Sequence, residues 1–312
     1  MRHRIAGATL DAFCTLVLTA TGQEPSNGFD FPLLRTFLQN LRMRPFFLQR
    51  RLAMKRALLV AIALTLCIPV ALDARPQRAK KRKVPCAADL AHCPDQGCGT
   101  DFDEHLNEAK NTTANGHTPE VRTLAFIKKL DDPEIFMKGG TREELQQLGE
   151  GDMVSVAAYV IAVKPELGGE SCNCGLQTRE ETDNHLVLVT STTVDKFTMT
   201  GNAATQKKRF HSRELESVTA EFTPRVRPSH PHFTREFVQP FINNSPKIAI
   251  LVRVTGQLLF DSEHFLHNPL VRVTDWEIHP IFKFEICMGA SGPANNCKAD
   301  SDTGWKDVDD MH

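Results

Sequence analysis

Five runs with the two-residue period of strands, and one amphipathic helix between the third and the fourth, constrain the fold of this 312-residue chain more than any other feature. The runs are 153–164, 184–190, 218–222, 248–260 and 271–286, rich in Val, Ile, Phe and Thr. Between the third and fourth, Phe233, Phe237, Val238 and Phe241 fall at helical spacing within 232–243, and Asn243-Asn244-Ser245-Pro246 ends the segment. This is the order of an OB-fold, a small, partly open Greek-key barrel. An immunoglobulin-like sandwich would need about seven strands and no such helix. The expectation is a mainly β protein: a five-stranded OB-like barrel over 141–288, with a small cysteine-bearing helical cap over 86–140 on its N-terminal side. Since alternate residues of a strand face opposite ways, Val252, Val254 and Leu258 should point inside, and Arg253 and Gln257 outside.

The environment is read from the segment 54–74. Met54-Lys55-Arg56 precedes an apolar run from Ala57 to Val70, and Ala71-Leu72-Asp73-Ala74 ends it, the three parts of a secretory signal peptide. A spanning helix needs about 20 apolar residues, and this run is shorter and broken by Pro69. Lipid attachment wants a small residue before the cysteine, whereas Leu66 precedes Cys67. Cleavage near Ala74 would give an exported protein, periplasmic or extracellular, without a transmembrane anchor. Residues 1–53 carry Arg35, Arg42, Arg44, Arg50 and Arg51 among Leu and Phe, with no capped helix or alternating strand. They read as translation assigned from too early a start or as a disordered leader.

Removing residues 1–74 takes away nine basic and four acidic side chains from totals of 37 and 38, leaving 28 Lys+Arg against 34 Asp+Glu. A mildly acidic chain is a poor general binder of nucleic acid, whose affinity rests on phosphate neutralisation. Residues 75–85 form a basic linker around Arg78-Ala79-Lys80-Lys81-Arg82-Lys83; a nuclear signal has this pattern too, but after an export signal it reads as a solvated connection.

Within the cap, a polar helix is expected over 102–110. A second opens at Pro119, with Val121, Leu124, Ile127 and Leu130 on one face. Thr141-Arg142-Glu143-Glu144 reads as a capping box for a short helix closed by Gly149. Residues 289–312 read as a polar tail.

Seven cysteines follow the signal: Cys86, Cys93, Cys98, Cys172, Cys174, Cys287 and Cys297. In an oxidising compartment they are disulfide candidates, and an odd count leaves at least one sulfur outside. Cys172 and Cys174, one residue apart in a Gly-flanked loop, are poorly placed to bond each other, so each should reach a distant partner. Cys287 and Cys297 are close enough to staple the tail. A thiolate zinc site from Cys93, Cys98, Cys172 and Cys174 is the alternative, although neither pair has zinc-knuckle spacing.

Asp183 and His185 share a face of the second strand; Asp275, Glu277 and His279 share a face of the last; Asp261, Glu263 and His264 end the fourth. The site candidates are therefore Asp183, His185, Glu263, His264, Glu277 and His279. Imidazole beside carboxylate suits a divalent metal or acid/base work, while a histidine near a buried Trp serves equally as a structural side chain, and 261–264 as a turn. No H-E-x-x-H, G-x-S-x-G or P-loop pattern is present. Two Trp and one Tyr offer few flat rings for stacking bases.

Glu170-Ser171-Cys172-Asn173-Cys174, Thr182-Asp183-Asn184-His185, Val252-Arg253-Val254-Thr255-Gly256 running to Asp261-Ser262-Glu263-His264, and Trp276-Glu277-Ile278-His279-Pro280 resemble motifs of a group of uncharacterised exported bacterial proteins with an OB-like barrel. Cys93-Pro94-Asp95-Gln96-Gly97-Cys98 and Leu106-Asn107-Glu108-Ala109-Lys110-Asn111 resemble their leader and the helix after it, so the likeness covers about 86–287. It implies the barrel and no activity. Two functions stay open: an envelope or secreted protein whose barrel binds a small ligand, an oligosaccharide or a protein partner, or a metal-assisted hydrolase using His185, His264 and His279 with their neighbouring carboxylates. The residues call for no cofactor; a divalent metal belongs to the second of these readings alone.

Overall fold

The computed structural model describes residues 83–133, 140–166, 168–263, 271–288 and 297–311. The expected leader, the signal segment, most of the basic linker and His264 lie outside them. In chain order the elements are β1 (Lys83–Val84), β2 (Gly99–Thr100), α1 (Glu104–Lys110), β3 (Glu120–Arg122), α2 (Leu124–Ile127), α3 (Glu143–Leu148), β4 (Met153–Pro165), β5 (Asn184–Val189), α4 (Ser191–Lys196), α5 (Ala203–Glu214), β6 (Val218–Phe222), α6 (Arg235–Asn243), β7 (Ile250–Phe260), β8 (Trp276–Cys287) and β9 (Trp305–Asp307).

Five strands close a barrel in the order β4-β5-β6-β8-β7 and back to β4. Each neighbouring pair is antiparallel except β6 with β8, which run parallel. Closure depends on the 13-residue β4, long enough to pair with β7 through its first half and β5 through its second. A bulge between Val160 and Ala162 separates these halves, and an inserted residue bends and twists a strand. It also switches the alternation. Val154, Val156, Ala158, Val160 and Val163 enter the barrel, while Ile161 and Ala162 turn outward to pack with Val187, Val189 and Val194.

Val252, Val254 and Leu258 are inside, as their spacing predicts. Arg253 and Gln257 are on the outer face, yet both are buried. The tail covers Arg253, through Asp302 and the Ser301 carbonyl, and Asn115 reaches Gln257. At the register shift between β7 and β8, an added Cβ on Gly256 would lie 2.4 Å from the Pro280 carbonyl oxygen, so the two strands meet where only glycine leaves room. The helix α6 packs Val238 and Ile242 into the core beside Phe233.

Several expectations are corrected. No helix opens at Pro119: residues 120–122 pair in parallel with Val154–Val156, covering an open edge of β4, and the helix begins only after Thr123, whose side chain caps Phe126. Val121 is consequently exposed while Leu124 and Ile127 are buried. The Thr141 capping box does not form, because Arg142 occupies the N-cap and its guanidinium turns to Glu150 and the Phe260 carbonyl; Gly149, at φ 115°, does close the helix. The last strand starts at Trp276 rather than Val271. The tail is not wholly a loop: β9 pairs with β8, and Val308 enters the core. Two unanticipated helices, α4 and α5, join β5 to β6. They are held by the buried Arg213, which donates to the carbonyls of Val194, Phe197, Lys247 and Ile248.

Candidate functional site

The site lies on the outer face of β5, β6 and β8, and strand pairing creates it. Leu186, Ala220, Phe222 and Ile278 point into the barrel, so the intervening His185, Glu221, Glu277 and His279 must point out. Register then brings them side by side: His185 is opposite Glu221, and Ala220 is opposite Ile278. His279 Nδ1 lies 3.0 Å from one Glu221 oxygen, and His185 Nε2 3.3 Å from the other. Two imidazoles thus share one carboxylate. His279 Nδ1 is also 3.2 Å from Glu277, whose second oxygen accepts from Arg272 at 2.8 Å. Arg272 in turn donates to Asp261 at 2.8 Å.

The cysteine cap closes over this face. The β4–β5 connection makes a tight turn at Ser171–Asn173 and is tied to the N-terminal segment by the Cys93–Cys174 disulfide. Cys98 N–H donates to the Ser171 carbonyl at 3.0 Å, Asn107 to the Ser171 hydroxyl at 3.0 Å and Asn111 to the Cys172 carbonyl at 3.0 Å. Gly97, with φ at +70°, lets the chain pass there: a Cβ would stand 2.3 Å from the Ser171 carbonyl oxygen. Beneath the lid, Lys110 donates to Glu170 at 3.0 Å and the Asn173 amide donates to Asp183.

Asp183, Glu277 and His279 are 0% exposed and Glu221 1%, so the electrostatics are those of a desolvated cluster. Burial alone would lower the His279 pKa, but Glu221, by attraction and hydrogen bonding, and Glu277 push it up to about 10. Burial works to raise Glu221, and His185, His279 and Lys110 overcome it, holding that carboxyl well below its ordinary value. Glu170, despite burial, is lowered by Lys110. Asp183 goes the other way: burial and the adjacent Glu170 raise it well above the usual carboxylate range. Burial, with Glu170 and Asp183, also drives the Cys172 thiol up. The side chains facing these carboxylates are Lys110 on Glu170, His279 on Glu221 and Arg272 on Glu277.

Of the sequence candidates, Asp183, His185, Glu277 and His279 come together. Glu263 does not join either close-set donor group; its N–H donates to Asp261 beyond the end of β7. His264 lies outside the described residues. Glu221, central to the cluster, was missed, although the same alternation identifies it: Val218, Ala220 and Phe222 are apolar and Glu221 faces away from them. Glu170, Cys172 and Lys110 had no comparable signal, because only the folded cap brings them over the strands.

The cysteines form Cys86–Cys98, Cys93–Cys174 and Cys287–Cys297, and Cys172 is a buried free thiol. The odd sulfur, the stapled tail and the distant partner of Cys174 agree with the sequence reading; Cys172 has no such partner. A four-thiolate zinc site is ruled out, since Cys93, Cys98 and Cys174 are in disulfides. Among the described residues no helix is long and apolar enough to cross a membrane. Comparison with protein-family models, curated proteins and solved structures found no match to this chain.

Proposed function

We propose that the protein is exported and acts in the envelope or outside the cell as a binding barrel, rather than as a hydrolase. The observation that carries this reading is the closure of the His/carboxylate cluster. A hydrolytic site must admit a substrate and a water molecule, whereas His279 and Asp183 are fully buried under a lid fastened by a disulfide. The lid also covers the outer face of β5 and β6, where OB barrels commonly take ligands. Binding is therefore assigned elsewhere. A hollow of about 530 Å³ lined by Phe241, Met288, Trp305, Lys306, Asp310 and Met311 has the composition of a recognition surface, an aromatic and apolar floor with a few charges. A flat indole beside charged side chains suits the face of a sugar ring or the apolar side chain of a protein partner. Three disulfides favour an oxidising compartment, in keeping with the export segment and with the resemblance to exported barrel proteins.

The two tryptophans provide the test. Trp276 is 0% exposed in the core, so a change in indole emission on adding ligand reports Trp305. Titration with envelope oligosaccharides and with envelope proteins should quench or shift that emission, and Trp305→Ala should abolish both response and binding. If no member of either class alters Trp305, the hollow is not the binding surface. N-terminal sequencing of protein from the envelope should begin near Arg75; retention of Arg35–Arg51 would overturn export.

A further inference from the structure

Strand β9 pairs with β8 alone, with Glu285 opposite Asp307, Ile286 opposite Lys306 and Cys287 opposite Trp305. The phase of this ladder follows from the next rung, where the Met288 N–H donates to the Gly304 carbonyl at 2.9 Å. Opposed residues of an antiparallel pair alternate between those that exchange hydrogen bonds and those that do not. Gly304 and Lys306 therefore bond to β8, while the Trp305 N–H and C=O and the Asp307 N–H point away from it. None of these three main-chain groups has a partner among the described residues. The surface hollow lies against them. Gly304, Trp305 and Lys306 line it in succession, and since successive side chains of a strand face opposite ways, the hollow borders the backbone itself.

We propose that this edge and the hollow together receive an extended peptide segment of a protein partner, added as a further strand beside β9. In strand addition the main-chain hydrogen bonds supply affinity and pockets for alternate side chains supply specificity. Ile286 faces the core, so Lys306 opposite it and Met288 two residues on share that side, and Phe241 and Met311 complete the hollow there. Every second peptide side chain enters this space, which suits an apolar one. The Trp305 indole lies on the other side, 5.3 Å from the Arg253 guanidinium and donating from Nε1 to the Lys298 carbonyl at 2.8 Å, and it flanks the intervening peptide residues. Lys306 and Asp310 are exposed and in no ion pair among the described residues. A segment with an acidic residue on one side of its apolar residue and a basic one on the other therefore meets complementary charge. An oligosaccharide has no main-chain donors and acceptors at strand spacing, so the peptide is the favoured occupant. The brevity of β9 and the charge of Lys306 are means by which an edge avoids pairing with its own copies, and they limit the partner to a short segment. The assignment rests on the hollow being the binding surface.

The test selects random heptapeptides displayed on phage against the disulfide-intact chain from Arg75 onward, then synthesises the selected peptides with each main-chain nitrogen methylated in turn. Bound peptide should shift the amide resonances of Trp305 and Asp307. Methylation should weaken binding about tenfold at alternate positions, those whose N–H faces β9, and leave the positions between them unaffected. Asp307 has φ −64° and follows a strand residue, so Asp307→Pro deletes the outward N–H without breaking the ladder to β8. It should bind about tenfold more weakly than Asp307→Ala, which loses the same carboxylate and keeps the N–H. Failure to select any peptide overturns the proposal, as does affinity indifferent to methylation at every position or equal in the two variants. The methylated peptides decide the matter on the wild-type protein even if Asp307→Pro fails to fold. Peptides or oligosaccharides that change Trp305 emission without the alternating pattern refute strand addition and leave the hollow as a binding surface; silence of Trp305 towards both removes the two together.

Discussion

Lys110→Met probes the buried ion pair beneath the lid. Methionine keeps most of the aliphatic stem and deletes the ammonium, which is 3.0 Å from Glu170 and has a side-chain exposure of 3%. At that separation and an effective dielectric of about 20, unit charges attract by roughly 5.5 kcal/mol. Removing one member of a buried pair typically costs about 3–5 kcal/mol, because the remaining charge keeps its desolvation penalty. The attraction is a gross term and the mutational range a net one, so we expect Lys110→Met to lower the unfolding free energy by about 3–5 kcal/mol. For a folded unit of this size that corresponds to roughly 6–20 °C in Tm. Denaturant unfolding of the disulfide-intact protein measures it. The companion Lys110→Met/Glu170→Gln removes both charges and should recover more than half of the loss, whereas additive effects would leave the double variant worse than either single. A single-variant cost below about 1 kcal/mol, the range of an exposed pair, or simple additivity would refute the view that these charges are coupled and desolvated.

Three further outcomes follow from other parts of the fold. Gly256→Ala should destabilise by about 1–3 kcal/mol through overpacking, since its Cβ would meet the Pro280 carbonyl at 2.4 Å and Ile278 at 2.6 Å; unchanged thermal unfolding would mean that β7 and β8 separate easily. Thiol titration of the chain from Arg75 onward should find no reactive sulfur in the native protein and one in denaturant, because Cys172 is buried and the other six cysteines are paired; a reactive native thiol would show that the lid opens. Glu285, against burial, is held below its ordinary carboxyl value of 4.5 by Arg253 and Lys283. With the folded pKa below the unfolded one, its stabilisation is complete above about pH 4.5 and is lost as pH falls through the lower folded value. Acid should therefore loosen the tail around Arg253 and Trp305 in that window, visible in Trp305 emission and abolished by Glu285→Gln; an unchanged acid profile in that variant would show that this pair does not hold the tail.

The sequence by itself determined the barrel, because strand period and strand order are local properties written in every second residue. Val252, Val254 and Leu258 could be assigned inside before any coordinates, and α6 was visible in the spacing of its phenylalanines. The same alternation carried half of the site: it placed Asp183 and His185 on one face and Glu277 and His279 on another, and applied to β6 it identifies Glu221. It could not say that these faces would be contiguous. That depended on the parallel pairing of β6 with β8 and on the closure of β4 against β7, long-range registers that no local pattern encodes. Nor could period or composition show that a polar helix and a loop containing a free thiol would fold over an imidazole–carboxylate row. A disulfide joining residues 81 apart brings that lid into place. Tertiary structure alone thus decided the chemistry, by removing water: Lys110, Asp183, Glu221 and His279 are ordinary surface residue types, and their altered proton affinities arise from burial and from one another.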